Sequence, residues 1–274
     1  MTSLFFFIII GTLLGSANGE TVCSTEEASI IARSFIHQYK DNSSCPVPHW
    51  LHHLVESEDN ARSNTKVLFN VGFNKGYNFI EWLYAWTGNT ALSKWEWFIS
   101  LKRAGARFAC GHCLDCRESP LKFIKKLPSV PTMMHGADLN PQPVKIVTDA
   151  SKDLRSRLGL SDLNITVQNA GLSNVTGNFM LTGCSHNFEG CSLRSGGTNG
   201  IAVPITTLDE FSSSLVLKYP LMRAQNIPPY MVDVFQIDAE GHDFLIIQSG
   251  ERFLSQQLAR ILIFEVKVTF MFKI

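Results

Sequence analysis

Lys66-Val-Leu-Phe-Asn-Val-Gly-Phe-Asn-Lys-Gly76 is the stretch on which the fold turns. Its first six residues form a short apolar run that stops at Gly72. A run of that length without strict alternation reads as a parallel strand buried on both faces. Residues 78–86 follow, with Phe79, Trp82, Leu83 and Trp86 at helical spacing. Strand, glycine turn and helix together open a βαβ unit.

The same alternation continues downstream. Residues 132–137 read as a second strand, 141–158 as a helix and 165–167 as a third strand. Phe179-Met-Leu181 reads as an antiparallel edge, and 207–217 as a helix capped by Thr206 or Thr207. Residues 232–237 and 261–264 read as two more buried strands, with a helix over 242–248 between them. This order predicts an α/β, Rossmann-like fold: a mostly parallel sheet with helices on both faces. From 87 to 131 the pattern is less regular. Trp95, Trp97, Phe98 and Leu101 mark a helix, followed by a cysteine cluster and a lysine-rich piece. That region reads as an insertion or a lid, or else as an ordinary surface subdomain.

Upstream, Leu4 to Leu14 reads LFFFIIIGTLL and is followed by Gly15, Ser16, Ala17 and Gly19. An apolar core before small residues is the pattern of a secretory signal, here residues 1–19. The run is shorter than the roughly 20 residues a transmembrane helix needs. The expectation is a secreted or lumenal protein without a stable membrane span after cleavage, an uncleaved signal anchor being the alternative. Residues 20–60 then carry a helix, opened by a Ser24/Glu27 capping box, and a polar linker. Residues 61–274 form the main domain. Sequons at Asn42, Asn164 and Asn174 agree with secretion, Asn42 being the first choice for a glycan.

Seven cysteines (Cys23, Cys45, Cys110, Cys113, Cys116, Cys184 and Cys191) also fit an oxidising compartment. Cys184 with Cys191 and Cys23 with Cys45 are candidate disulfides. The Cys110, Cys113 and Cys116 cluster reads as a disulfide with one thiol left over, or as a zinc site with His112 as a fourth ligand. The chain carries 24 basic and 24 acidic residues, which argues against a nucleic-acid partner.

The chemistry gathers at predicted strand ends. Asn70, Gly72, Asn74 and Gly76 form a turn in which glycines let backbone approach a ligand, ahead of a helix N-terminus. Asp138 and Asn140 follow the second strand, where an acid is able to bind both hydroxyls of a ribose. Asp238 and Glu240 stand just past a strand end, with His242 beyond them. Burial or mutual repulsion raises a carboxyl, so either acid is a candidate general base, and His242 is a third.

The order NVGFNKG, DLNP, NAGLS, TTLDEF, QIDAEGHDFLIIQSG and ILIFE resembles the FkbM-type methyltransferase family over roughly residues 66–266. The resemblance implies a class I methyltransferase fold, S-adenosyl-L-methionine as cofactor, and O-methylation of a hydroxyl on a glycan or secreted metabolite. Asn70, Gly72, Asn74, Gly76, Asp138 and Asn140 would then bind the cofactor, and Asp238, Glu240 and His242 would be the catalytic candidates. Two positions depart from the family pattern. Asn70 stands where the family commonly has Asp, and Gln236 where it commonly has Lys. The fold normally continues past its last strand with a helix and further strands, so the expectation is an incomplete C-terminal sheet and a possible homodimer. Two other functions compete: a catalytically silent binding or scaffold protein, and a metal- or thiol-active module centred on Cys110 to Cys116.

Overall fold

The computed structural model describes residues 3–8, 66–89, 91–107, 132–161, 163–182, 192–194, 200–218, 232–239, 242–256 and 258–267. All seven cysteines, Asn42, the 20–60 segment, Glu240 and Gly241 lie outside the described residues.

The main sheet has six strands: β1 (Ser3–Ile8), β2 (Lys66–Val71), β3 (Thr132–Asp138), β4 (Ile165–Asn169), β9 (Val232–Ile237) and β10 (Ala259–Lys267). Their order across the sheet is β1-β10-β9-β2-β3-β4. The strands from β10 to β4 are all parallel. β2 is central, and all six of its residues are buried. Its side chains alternate between two cores. Leu68 joins the cluster of α1 (Tyr77–Thr87), α2 (Lys94–Arg103) and α3 (Pro141–Leu158). Val67, Phe69 and Val71 join the cluster of α4 (Leu208–Lys218), α5 (Asp243–Gln248) and α6 (Glu251–Ser255). Helices therefore cover both faces, and the fold is α/β and Rossmann-like.

Apolar spacing determines which side each helix buries. α3 turns Ile146, Val147, Ala150 and Leu154 inward. α1 turns in Phe79, Ile80, Trp82, Leu83 and Trp86. Burying a side chain of this size contributes about 1.5–3 kcal/mol. The stretch read as an insertion begins as part of this core, because Trp97 and Leu101 of α2 are fully buried in it. α2 is also tied to α3: Ser100 donates to Asp153 at 2.7 Å, and Arg157 pairs with Glu96.

Two features differ from the sequence expectation. Phe179-Met-Leu181 does not extend the main sheet. It belongs to β6 (Gly177–Thr182) of a second sheet, ordered β5-β8-β6-β7, with β5 (Gly171–Leu172), β7 (Ser192–Arg194) and β8 (Ile201–Thr206). β8 is not among the strands expected from the sequence; its Pro204, a residue type that argues against one, pairs with Asn178 in the β6 ladder. Residues 3–8 form β1, which lies antiparallel to β10 from Ser3↔Lys267 to Ile8↔Leu262. No helix among the described residues is long and apolar enough to cross a membrane.

Candidate functional site

From β2 the chain moves to β3 and β4 on one side, while β9 and β10 lie on the other. The order therefore reverses between β2 and β9, and open α/β sheets bind ligands outside the carboxyl ends of their strands at that point. Three segments meet there: Gly72 to Gly76 after β2, Asp138 to Asn140 after β3, and Asp238 and Ala239 after β9, with His242 at the start of α5.

The three are stitched together by hydrogen bonds. The Gly72 N–H donates to the Ala137 carbonyl at 2.9 Å, and the Asp238 N–H to the Val71 carbonyl at 2.9 Å. Asp138 accepts from the Asn140 N–H at 2.9 Å and, through its other oxygen, from the Asn74 N–H at 3.1 Å. Burial pushes the Asp138 carboxyl up to about 6, against the opposing pull of those two N–H groups. Asp138 as a residue is half-buried. On the far side, Asn169 donates to the carbonyls of Asp138 at 3.0 Å and Leu139 at 2.8 Å.

The glycine turn has protein-internal reasons for its composition. Gly72 has φ +73°, and a Cβ there would lie 1.8 Å from the Asp238 carbonyl oxygen. Its missing side chain thus makes room for the loop after β9, where the sequence reading expected a ligand. A Cβ on Gly76 would meet the Phe79 ring at 3.0 Å and the Trp97 ring at 3.3 Å. Between them Asn74 holds the left-handed conformation at φ 47°. Trp97 donates its indole N–H to the Lys75 carbonyl at 2.8 Å, so α2 braces the turn from behind.

The other predicted residues divide by role. Asn140 caps α3, its side chain accepting from the Gln142 N–H at 3.0 Å. Asp238 is half-buried at the end of β9. His242 opens α5, with its N–H donating to the Ala239 carbonyl at 3.1 Å and its Nδ1 buried without a hydrogen-bond partner. Asp243 reaches back to accept from the Ala239 N–H at 3.3 Å. Asp209 of the TTLDEF segment lies away from the cleft and caps α6, accepting from the Arg252 and Phe253 N–H groups at 3.0 and 2.8 Å.

Sequence reasoning passed over Trp97, Asn169 and Gln236 as site residues. Gln236 carried a signal, a polar residue inside an apolar strand run. It stands opposite Asn70 in the register of β2 and β9. Both are buried, at 1% exposure for Asn70 and 6% for Gln236. Neither the Asn70 amide nitrogen and oxygen nor the Gln236 Oε1 has a hydrogen-bond partner.

Comparison with protein-family models, curated proteins and solved structures finds no match for this chain. The likeness to the FkbM-type family accordingly rests on the six quoted segments and their order.

Proposed function

We propose that the chain is an S-adenosyl-L-methionine-dependent methyltransferase of the class I type that acts on a hydroxyl of a glycan or secreted metabolite. One observation carries the reading. The glycine turn, Asp138, and Asp238 with His242 meet at the carboxyl ends of β2, β3 and β9, on both sides of the strand-order reversal. The residues present fit a nucleoside bearing a polar tail. Asp138 is anchored by two N–H groups yet partly exposed, which suits an acceptor for ribose hydroxyls. Asn70, Asn74 and Gln236 offer buried polar atoms without partners.

The cofactor supplies an activated methyl group when bound. The protein's part is to align the acceptor and exclude water. A hydroxyl acceptor gives up a proton, for which Asp238, Glu240 and His242 are the candidate acceptors. The apolar start of the chain and the sequons support action in the secretory pathway. Among the described sequons, Asn174 is exposed and Asn164 is half-buried at the start of β4.

Isothermal titration with S-adenosyl-L-methionine and S-adenosylhomocysteine tests the reading. Saturable binding of both is expected, and no binding of either would remove it. A second reading, a silent binding protein, is favoured by the uncharged Asn70/Gln236 pair where the family has Asp and Lys. Cofactor binding with no methyl transfer across an acceptor screen is its signature.

A further inference from the structure

Most polar groups inside this fold are spent on visible structural tasks. Asp233 accepts from the Val67 N–H at 2.8 Å and pairs with Lys66. Glu81 pairs with Lys94. Asp209 caps a helix. By contrast, Asn70 and Gln236 are adjacent and buried, and neither the Asn70 amide nor the Gln236 Oε1 has a hydrogen-bond partner.

Their orientation follows from the strands that carry them. Phe69 and Val71 belong to the α4–α6 core, so Asn70 between them faces the α1–α3 side with Leu68. Phe235 and Ile237 flank Gln236 in the same way, and Val234 marks its side as that of α1–α3. Both amides occupy the penultimate position of their strands, beneath the glycine turn and beside the strand-order reversal. Gly136, the register neighbour of Asn70 on β3, is roofed by the Phe73 and Phe79 rings. Ile263 is the neighbour of Gln236 on β10. The row across the sheet thus reads apolar, amide, amide, apolar.

A buried amide without a partner destabilises a fold, because its desolvation is not repaid. Two in contact positions at the carboxyl end of the sheet call for a third polar group between them and the turn. Asn70 offers a donor and an acceptor, and Gln236 a second acceptor. That set complements a carboxylate and an ammonium together, the two ends of an α-amino-acid group. Resting on the cofactor reading above, we propose that Gln236 joins Asn70 as an uncharged binding pair for the amino-acid end of the ligand. The site holds that end by amide hydrogen bonds and not by an ion pair, and the unliganded fold gives up stability to keep both amides open to it.

Near-isosteric replacement tests this, because a binding role and a structural role move stability and affinity differently. Calorimetry on the full chain uses two probes: S-adenosylhomocysteine, and 5′-methylthioadenosine, which lacks the amino-acid end. Gln236→Met is expected to weaken S-adenosylhomocysteine by about tenfold or more while methylthioadenosine stays within about twofold. Unliganded Gln236→Met is expected to melt about 3–6 °C higher than wild type. Asn70→Leu carries the same two readouts and decides the matter where Gln236→Met does not fold. Equal weakening of both probes, or unchanged affinity for S-adenosylhomocysteine, overturns the proposal while leaving the cofactor reading intact. Failure of wild type to bind either probe overturns both.

Discussion

Asp138 connects the fold to the site through a single titration. Its carboxyl is raised from 3.8 to about 6 by burial, although the N–H groups of Asn140 and Asn74 stabilise the charged form. A group whose folded pKa is raised gives stability that is fully present below its unfolded value and lost as pH rises through the folded one. Between pH about 4 and 6 the native state keeps a proton that the unfolded chain has released, so stability falls with rising pH. The integrated loss is about 3 kcal/mol, from 1.36 kcal/mol per pKa unit, and it is a ceiling because the residue is only half-buried. Asp138→Asn removes the titration. It also turns one amide N–H toward a backbone N–H that Asp138 now accepts from, which costs about 1–3 kcal/mol. The assay is urea unfolding of both proteins from pH 4.5 to 8. Over that window the advantage of wild type over Asp138→Asn should shrink by up to about 2 kcal/mol, the rest of the loss lying below pH 4.5. An advantage that is flat or grows with pH refutes the argument, since the carboxyl would then be unshifted or lowered. Ligand binding should run the other way, because a ribose needs the carboxylate as acceptor: affinity should fall below pH about 6.

Gly72→Ala should lower the melting temperature sharply, since φ +73° and a Cβ 1.8 Å from the Asp238 oxygen force the loops after β2 and β9 apart; an unchanged melt would contradict this. Asp209→Ala should cost about 1–2 kcal/mol through the lost α6 cap while leaving calorimetric cofactor affinity as in wild type. Removal of residues 1–19 takes away β1 and bares the β10 edge, so the shortened protein should self-associate in sedimentation velocity. A monomer that melts like the full chain would show that β1 does not protect that edge.

The parallel sheet was legible because its strands are buried on both faces. In 66–71 and 232–237 burial on both faces favours mainly apolar runs, broken only at Lys66, Asn70, Asp233 and Gln236, and helices with Phe79/Trp82/Trp86 or Ile146/Ala150/Leu154 stripes leave a clear 3.6-residue period. The second sheet was not legible for the converse reason. β8 alternates exposed and buried residues over only six positions and contains a proline, and β5 is two residues long. The apolar run at 4–14 satisfies two physical demands, a leader's apolar core and a sheet-edge strand, and periodicity cannot separate them.

The site was legible in its positions and less so in its causes. Sequence placed Gly72, Asp138 and Asp238 at strand ends, and the structure brings their loops together. The reason for Gly72 was invisible, since it depends on a carbonyl 166 positions away in the chain, at Asp238. Asn140 and Asp209 carry polar types that serve helix caps as readily as ligands, and only their hydrogen bonds decide between the two. For Asn70 and Gln236 the argument runs in reverse. Each looked like an isolated departure that weakened the site. Their register shows that the two positions face one another, so a single charge introduced at either would stand buried and unpaired. Two neutral amides avoid that cost together. The pair is therefore better understood as one coupled choice about how this site holds a polar group than as two independent losses.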